Sequence, residues 1–313
     1  MMIFMSIIKI KFVSTIAAFE SEIIMQLEFL KHFESQKQLS IRDQQKTIFC
    51  GTGDSFASAQ LGEVFSDFRV KAVDPLDMSK YKKLSSNHHL YLISISGNTI
   101  SNIKLARQSK NSTAITANPQ SKLANACDEI IPLKFDNTGI QTAGSISFLA
   151  SALTCISLVT KFKVPNYHKL YKMAFDVSKK PIHGRVYVLG NLHSFPIAMF
   201  CAAKLQEVLG ADVRYERIEQ FSHMGIFSSR KGDTVVIFEK RNKHNEKLVR
   251  QIKKCGLRPI LIDPPTNDLI GQVIFFIFVS EFLSLHLAKM KNKKECYFVS
   301  AKKLRNASSS MIY

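Results

Sequence analysis

The sequence predicts an α/β protein made of two successive parallel sheets, each with helices on both faces. Three observations carry this. Short apolar runs end in glycine and hydroxyl residues just ahead of helix-patterned segments, strands and helices alternate along the chain, and the whole plan restarts after residue 180. Each half is then a duplicated unit of roughly 130 residues, a usual domain size.

The organising stretch is Leu90–Thr99, LYLISISGNT. An apolar strand runs into Ser94, Ser96, Gly97, Asn98 and Thr99, and a helix pattern with Ile103, Leu105 and Ala106 follows. A strand that hands over to a helix through small hydroxyl residues offers free N–H groups and the positive end of a helix dipole at one point, which suits a phosphate.

From Ser14 to Phe33 the residues Ile16, Phe19, Ile23, Leu27 and Leu30 recur at helical spacing, so a lead helix is expected. Thr47–Cys50 reads as a strand and Gly51, Thr52, Gly53, Asp54 and Ser55 as a turn into the next helix. The third glycine of a dinucleotide fingerprint is missing, which disfavours a nicotinamide or flavin cofactor. Strands are expected at 70–72, 113–116 and 129–133, with helices over 101–110 and over KLANAC after Ser121. A long packed helix is expected over 139–159 and a Lys- and Pro-rich linker over 161–181.

In the second half RVYVL (185–189) leads through Gly190–Ser194 into the helix FPIAMFCAAKLQEVLG. Strands follow at 213–215, 233–238 and 259–262, with a helix over 245–255. The longest apolar run, Val273–Val279, continues past Glu281 and His286 and reads as a buried helix. The division is therefore 1–36 for an N-terminal extension and lead helix, 37–165 for the first unit and 180–313 for the second.

A length of 313 residues with 46% hydrophobic content fills two cores. The formal net charge of +18 invites a nucleic-acid reading, but the basic residues are scattered and no nucleic-acid motif accompanies them. Anionic metabolites are the better-matched partners, with neither nucleic acid nor membrane expected. The opening MMIFMSIIKIKFV is broken by Lys9 and Lys11 and too short to span a bilayer, and Met2 and Met5 point to an over-called start. Six cysteines without a CxxC pair or zinc spacing read as reduced core residues of a cytoplasmic protein, and no metal is expected.

The motifs CGTGDS (50–55) and SISGNT (94–99), followed by TAITANPQSKLANACDEIIPL, resemble the first SIS (sugar isomerase) domain of tandem-SIS proteins. VLGNLHSFPIAMFCAAKLQEVLG and EQFSHMGIF resemble the second. The likeness is greatest to the isomerase half of glucosamine-6-phosphate synthase and to archaeal glucosamine-6-phosphate deaminases. It covers about residue 20 onward, starting with Glu22, Ile23 and Gln26 of an E-I-x-x-Q pattern. The resemblance implies flavodoxin-like units, a homodimer and a phosphorylated sugar as ligand. It places Ser94, Ser96 and Thr99 on the phosphate, with Thr52, Gly53 and Ser55 from the first loop and Ile140 and Thr142 lining the sugar. It makes Glu207 the proton carrier between C1 and C2, Lys204 an electrostatic aid, His223 the ring-opening group and Lys303 an imine former, with Lys302 as its competitor. Read without the resemblance, the loop serines are turn and cap residues, Lys204 and Glu207 are an i,i+3 ion pair, and the two lysines belong to a solvated tail.

The sequence departs from the family at three places. Ile100 and Ser101 follow the phosphate loop where an acidic residue is usual, Asn137 and Gly144 replace the acid and lysine of the synthase segment, and Cys296–Val299 stands in place of a D-x-D-x-P-R pattern. With no glutaminase domain ahead of the first unit and no cysteine after Met1, glutamine-dependent synthesis is not expected. The expected activity is isomerisation or deamination of a hexose or hexosamine 6-phosphate, without cofactor. The alternatives are a non-catalytic sugar-phosphate sensor and a phosphoglucose or phosphomannose isomerase.

Overall fold

The computed structural model describes residues 14–313, so the apolar opening of the chain lies outside it. Ser14 caps helix α1 (Thr15–Lys31) by accepting from the Ala17 N–H, and Ser40 caps the short α2 (Ile41–Gln44) in the same way. Strand β1 (Thr47–Cys50) leads to α3 (Asp54–Phe65), β2 (Lys71–Val73) to the short helices α4 (Pro75–Ser79) and α5 (Lys82–Asn87), and β3 (His89–Ile93) to α6 (Ile100–Gln108). Then come β4 (Ser112–Thr116), β5 (Glu129–Pro132), α7 (Ile146–Val159) and α8 (Tyr167–Val177). The second half runs β6 (Val186–Gly190), α9 (Ser194–Leu209), β7 (Val213–Glu216), α10 (Ile218–His223), β8 (Thr234–Phe238), α11 (Lys243–Lys254) and β9 (Arg258–Ile262). It closes with α12 (Leu269–Met290), α13 (Tyr297–Ser300) and α14 (Lys302–Ile312).

The described strands form two sheets, ordered β2-β1-β3-β4-β5 and β7-β6-β8-β9, and every pairing is parallel. Helices flank both. The chain leaves the first strand of each sheet in one direction and returns on its other side, which creates switch points between β1 and β3 and between β6 and β8. In open parallel sheets the crevice beyond the strand ends at such a point is where ligands bind.

The largest core cluster belongs to neither sheet alone. It runs through Phe19 of α1, Leu61 of α3, Leu153 of α7, Leu170 of α8, Phe200 of α9 and Phe276 of α12. Phe148 and Phe200, from different halves, stack with ring centres 3.9 Å apart. Each fully buried side chain of this size contributes about 1.5–3 kcal/mol. Helix α12 is apolar on all sides and is long and apolar enough to cross a membrane, but 89% of its most apolar window is buried inside the molecule.

The structure corrects the sequence reading at four places. The expected linker over 161–181 contains α8, whose Leu170 and Ala174 are buried and whose Tyr171 and Val177 pack against the core. The expected long helix over 139–159 begins only at Ile146, because Gly139 has φ +68° and tertiary bonds hold the residues between. KLANAC makes a single 3₁₀ turn at Ala124–Ala126, and the tail is helical at α13 and α14.

Candidate functional site

At the first switch point β1 passes through Gly51 so tightly that a Cβ there would sit 2.5 Å from the Ser55 carbonyl. The turn enters α3 through Gly53, φ +60°, with no side chain capping the helix. Beside it β3 ends at Ile93, and Ser94 Oγ lies 3.0 Å from Thr99 Oγ1 across the loop. Gly97, φ +66°, leaves no room for a Cβ against Ser121 Oγ, and its carbonyl accepts from the Leu123 N–H. Helix α6 also starts without a side-chain cap. Because β1 and β3 are paired in parallel, two uncapped helix N-termini open on one crevice. Their first N–H groups lack intrahelical partners, and the dipoles add positive potential there. Thr52 and Ser96 are exposed at the rim, whereas Ser55 and Ser94 are buried beneath it.

The second half reaches this crevice through α9. Lys204 is completely buried, and its Nζ donates to Asp54 Oδ2 at 2.9 Å and to Glu207 Oε2 at 2.6 Å. Asp54 is the first residue of α3, so this ammonium joins the two halves at the mouth of β1. Burial opposes the charge of Lys204, but the carboxylates of Asp54 and Glu207 outweigh it and hold the ammonium protonated above the ordinary lysine range. Glu207 is raised: burial pushes it up and the Asp54 charge adds, while Lys204 pulls it down. Its side chain remains 39% exposed. An accessible carboxyl raised above its ordinary range and held beside a cation is suited to taking and returning a proton.

Helix α1 supports this group from below. Glu22 accepts from the Thr138 N–H at 3.4 Å, from Thr138 Oγ1 at 3.0 Å and from Ser145 Oγ at 3.2 Å, which pins the 138–145 loop. A Cβ on Gly144 would lie 2.9 Å from Asp54 Oδ2 and 3.5 Å from Lys204 Nζ, so the loop passes directly over the ion triad. Thr142 Oγ1 donates to the Thr15 carbonyl at 2.9 Å, and Ile140 is half-buried. One turn beyond Glu22, Gln26 donates to both carboxylate oxygens of Glu281.

The structure thus brings Lys204 and Glu207 together with the turn that carries Thr52, Gly53 and Ser55, which adjoins the loop of Ser94, Ser96 and Thr99. His223 ends α10, exposed, and has no hydrogen-bond partner among the described residues. Lys302 and Lys303 are exposed at the start of α14 and join none of these contacts. Asp54 and Glu281 were not singled out from sequence. The signals were an acid inside a small-residue turn and a lone carboxyl within an apolar run.

No protein-family model and no curated protein matches the sequence. Solved structures do. A glucosamine-6-phosphate deaminase from Thermotoga maritima superposes with a TM-score of 0.69 at 18% identity, over 90% of this chain and 95% of the other. The C-terminal domain of glucosamine-fructose-6-phosphate aminotransferase from Francisella tularensis gives 0.68 at 15%, over 93% and 99%. Tagatose-6-phosphate ketose/aldose isomerase from Escherichia coli gives 0.64 at 16%, over 89% and 90%. The chain therefore shares its fold with this deaminase, this aminotransferase domain and this ketose/aldose isomerase, along almost its whole length.

Proposed function

We propose that this chain is a phosphosugar isomerase or deaminase that acts on a hexose or hexosamine 6-phosphate. The observation that carries the reading is the Asp54–Lys204–Glu207 triad, which sets a carboxyl of the second half beside the uncapped helix ends of the first. The phosphate sits on the loop of Ser94, Ser96 and Thr99 and on the turn of Thr52, Gly53 and Ser55, and the sugar extends toward Ile140 and Thr142. Glu207 removes the proton from C2 of the open-chain aldose and returns it to C1, while Lys204 steadies the negative charge that develops between the two steps.

Glucosamine 6-phosphate is the preferred substrate. Asp54 and Glu207 share one ammonium, which leaves a negative charge that an amine on C2 balances and a hydroxyl does not. Protonation at C1 then yields the 2-imine of fructose 6-phosphate, which water hydrolyses to the ketose and ammonia.

His223 serves ring opening from a partner subunit in this reading. Met224 and Phe227 beside it are 62% and 85% exposed, apolar surface that a second copy would cover. Lys303, exposed at the start of α14, takes no part in this reaction; the second reading is a sensor that binds the sugar phosphate without turnover. Incubation with glucosamine 6-phosphate, fructose 6-phosphate and mannose 6-phosphate decides. Ammonia and fructose 6-phosphate from the first support deamination, interconversion of the others supports simple isomerisation, and thermal stabilisation without product supports the sensor.

A further inference from the structure

Behind the triad lies a polar pair that the proposed reaction does not use. Glu281 is completely buried in α12, a helix with no other acidic residue, and Gln26 of α1 is equally buried. Gln26 Nε2 stands 2.8 and 2.9 Å from the two oxygens of Glu281, while Gln26 Oε1, also buried, has no partner. A buried carbonyl oxygen without a donor is costly and rare. The group next to it supplies a donor only if it carries a proton. A carboxylic acid and a primary amide then close a reciprocal ring, acid O–H to amide oxygen and amide N–H to acid carbonyl, after a small rotation of the Gln26 amide.

We infer that Glu281 is a positioning residue that is protonated in the working protein and forms an acid–amide pair with Gln26 within reach of the Lys204 charge. The surroundings agree. The groups that face Glu281 are Glu22 and Gln26 from α1, Asp54 from α3, Tyr171 from α8 and Lys204 from α9. Burial above all, with smaller contributions from the Glu22 and Asp54 charges, pushes the Glu281 carboxyl up to about 8 against the Gln26 bond and the Lys204 charge. Loss of its proton to solvent base sets a further negative charge behind Lys204, drawing the ammonium off Glu207. The effect on turnover rests on the function proposed above, whereas the proton itself does not.

Glu281→Gln mimics the protonated acid and can close the same ring with Gln26, so it tests both parts. An acid raised in the folded state stabilises below its unfolded value of 4.5, and that stability is lost as pH rises toward about 8. The melting-temperature advantage of Glu281→Gln over the native protein is therefore expected to grow from about pH 4.5 to 8 and then level off. A constant difference across that range overturns the proton. For turnover, native kcat is expected to fall above about pH 8 with KM unchanged, and the fall to vanish in Glu281→Gln. The same alkaline fall in both proteins overturns the positioning role. If no sugar phosphate is turned over, the proposed function fails and the melting series still decides the proton. Should Glu281→Gln not fold, Glu281→Met is expected to remove the same pH dependence.

Discussion

Lys204 is the residue on which the site turns, because a fully buried ammonium is tolerable only with its carboxylates in place. Breaking a buried ion pair by removing one partner costs about 3–5 kcal/mol. Lys204→Ala is expected to fall in that range in a urea titration, and a loss below about 1 kcal/mol would show the pair to be an ordinary surface contact. Asp54→Asn keeps the shape of the turn but removes one of the two charges on Lys204. In the proposed reaction it is expected to lower kcat, since Lys204 acts on the reacting carbons, and to raise KM for glucosamine 6-phosphate, since the negative charge that balances the amine is lost. The Lys204–Glu207 pairing was legible because i,i+3 spacing within one helix is a local property of sequence. The Asp54 contact was not, since it spans 150 positions and exists only once α3 and α9 are packed.

At the scale of elements, the strands and the two uncapped helix starts follow from local pattern: an apolar run, a small-residue turn and a helix period. The loop proposed to hold the phosphate depends on Gly97, whose φ of +66° and contact with Ser121 exclude a side chain. Gly97→Ala is expected to destabilise by more than about 1 kcal/mol and to weaken the thermal stabilisation that inorganic phosphate gives the native protein. An unaltered phosphate response would move the anion elsewhere. Elements failed to read where tertiary bonds override propensity. The 139–145 stretch carries Gly139 and Gly144, which weaken a helix, and is held open by the bonds of Glu22 to Thr138 and Ser145. Helix α8 was hidden because lysines and prolines at its flanks masked a sound apolar spacing of Leu170, Tyr171, Ala174 and Val177.

For the whole molecule the consequence is that the two sheets are not energetically separate. The shared core of α1, α3, α7, α8, α9 and α12 predicts one cooperative unfolding transition for both halves. Phe276→Ala, at the centre of that core, is expected to cost about 3–5 kcal/mol and to move the whole transition. Two separate transitions in calorimetry would show the halves to be independent. The two parallel sheets were visible in the sequence, but their joining through α12 was not, because an all-apolar helix reads as buried without revealing against what. The same joining sets the Glu207 carboxyl of the second half beside the α3 start of the first, and the proposed function has it act there on a bound sugar. Turnover of glucosamine 6-phosphate in deuterated water tests that claim most directly. The native protein should release ammonia and form fructose 6-phosphate, with deuterium at C1 only in those turnovers in which the Glu207 carboxyl exchanges with solvent before returning its proton. Glu207→Gln should lose turnover by about 10²–10⁴-fold while the ligand still raises its melting temperature. Full turnover in Glu207→Gln would contradict the account.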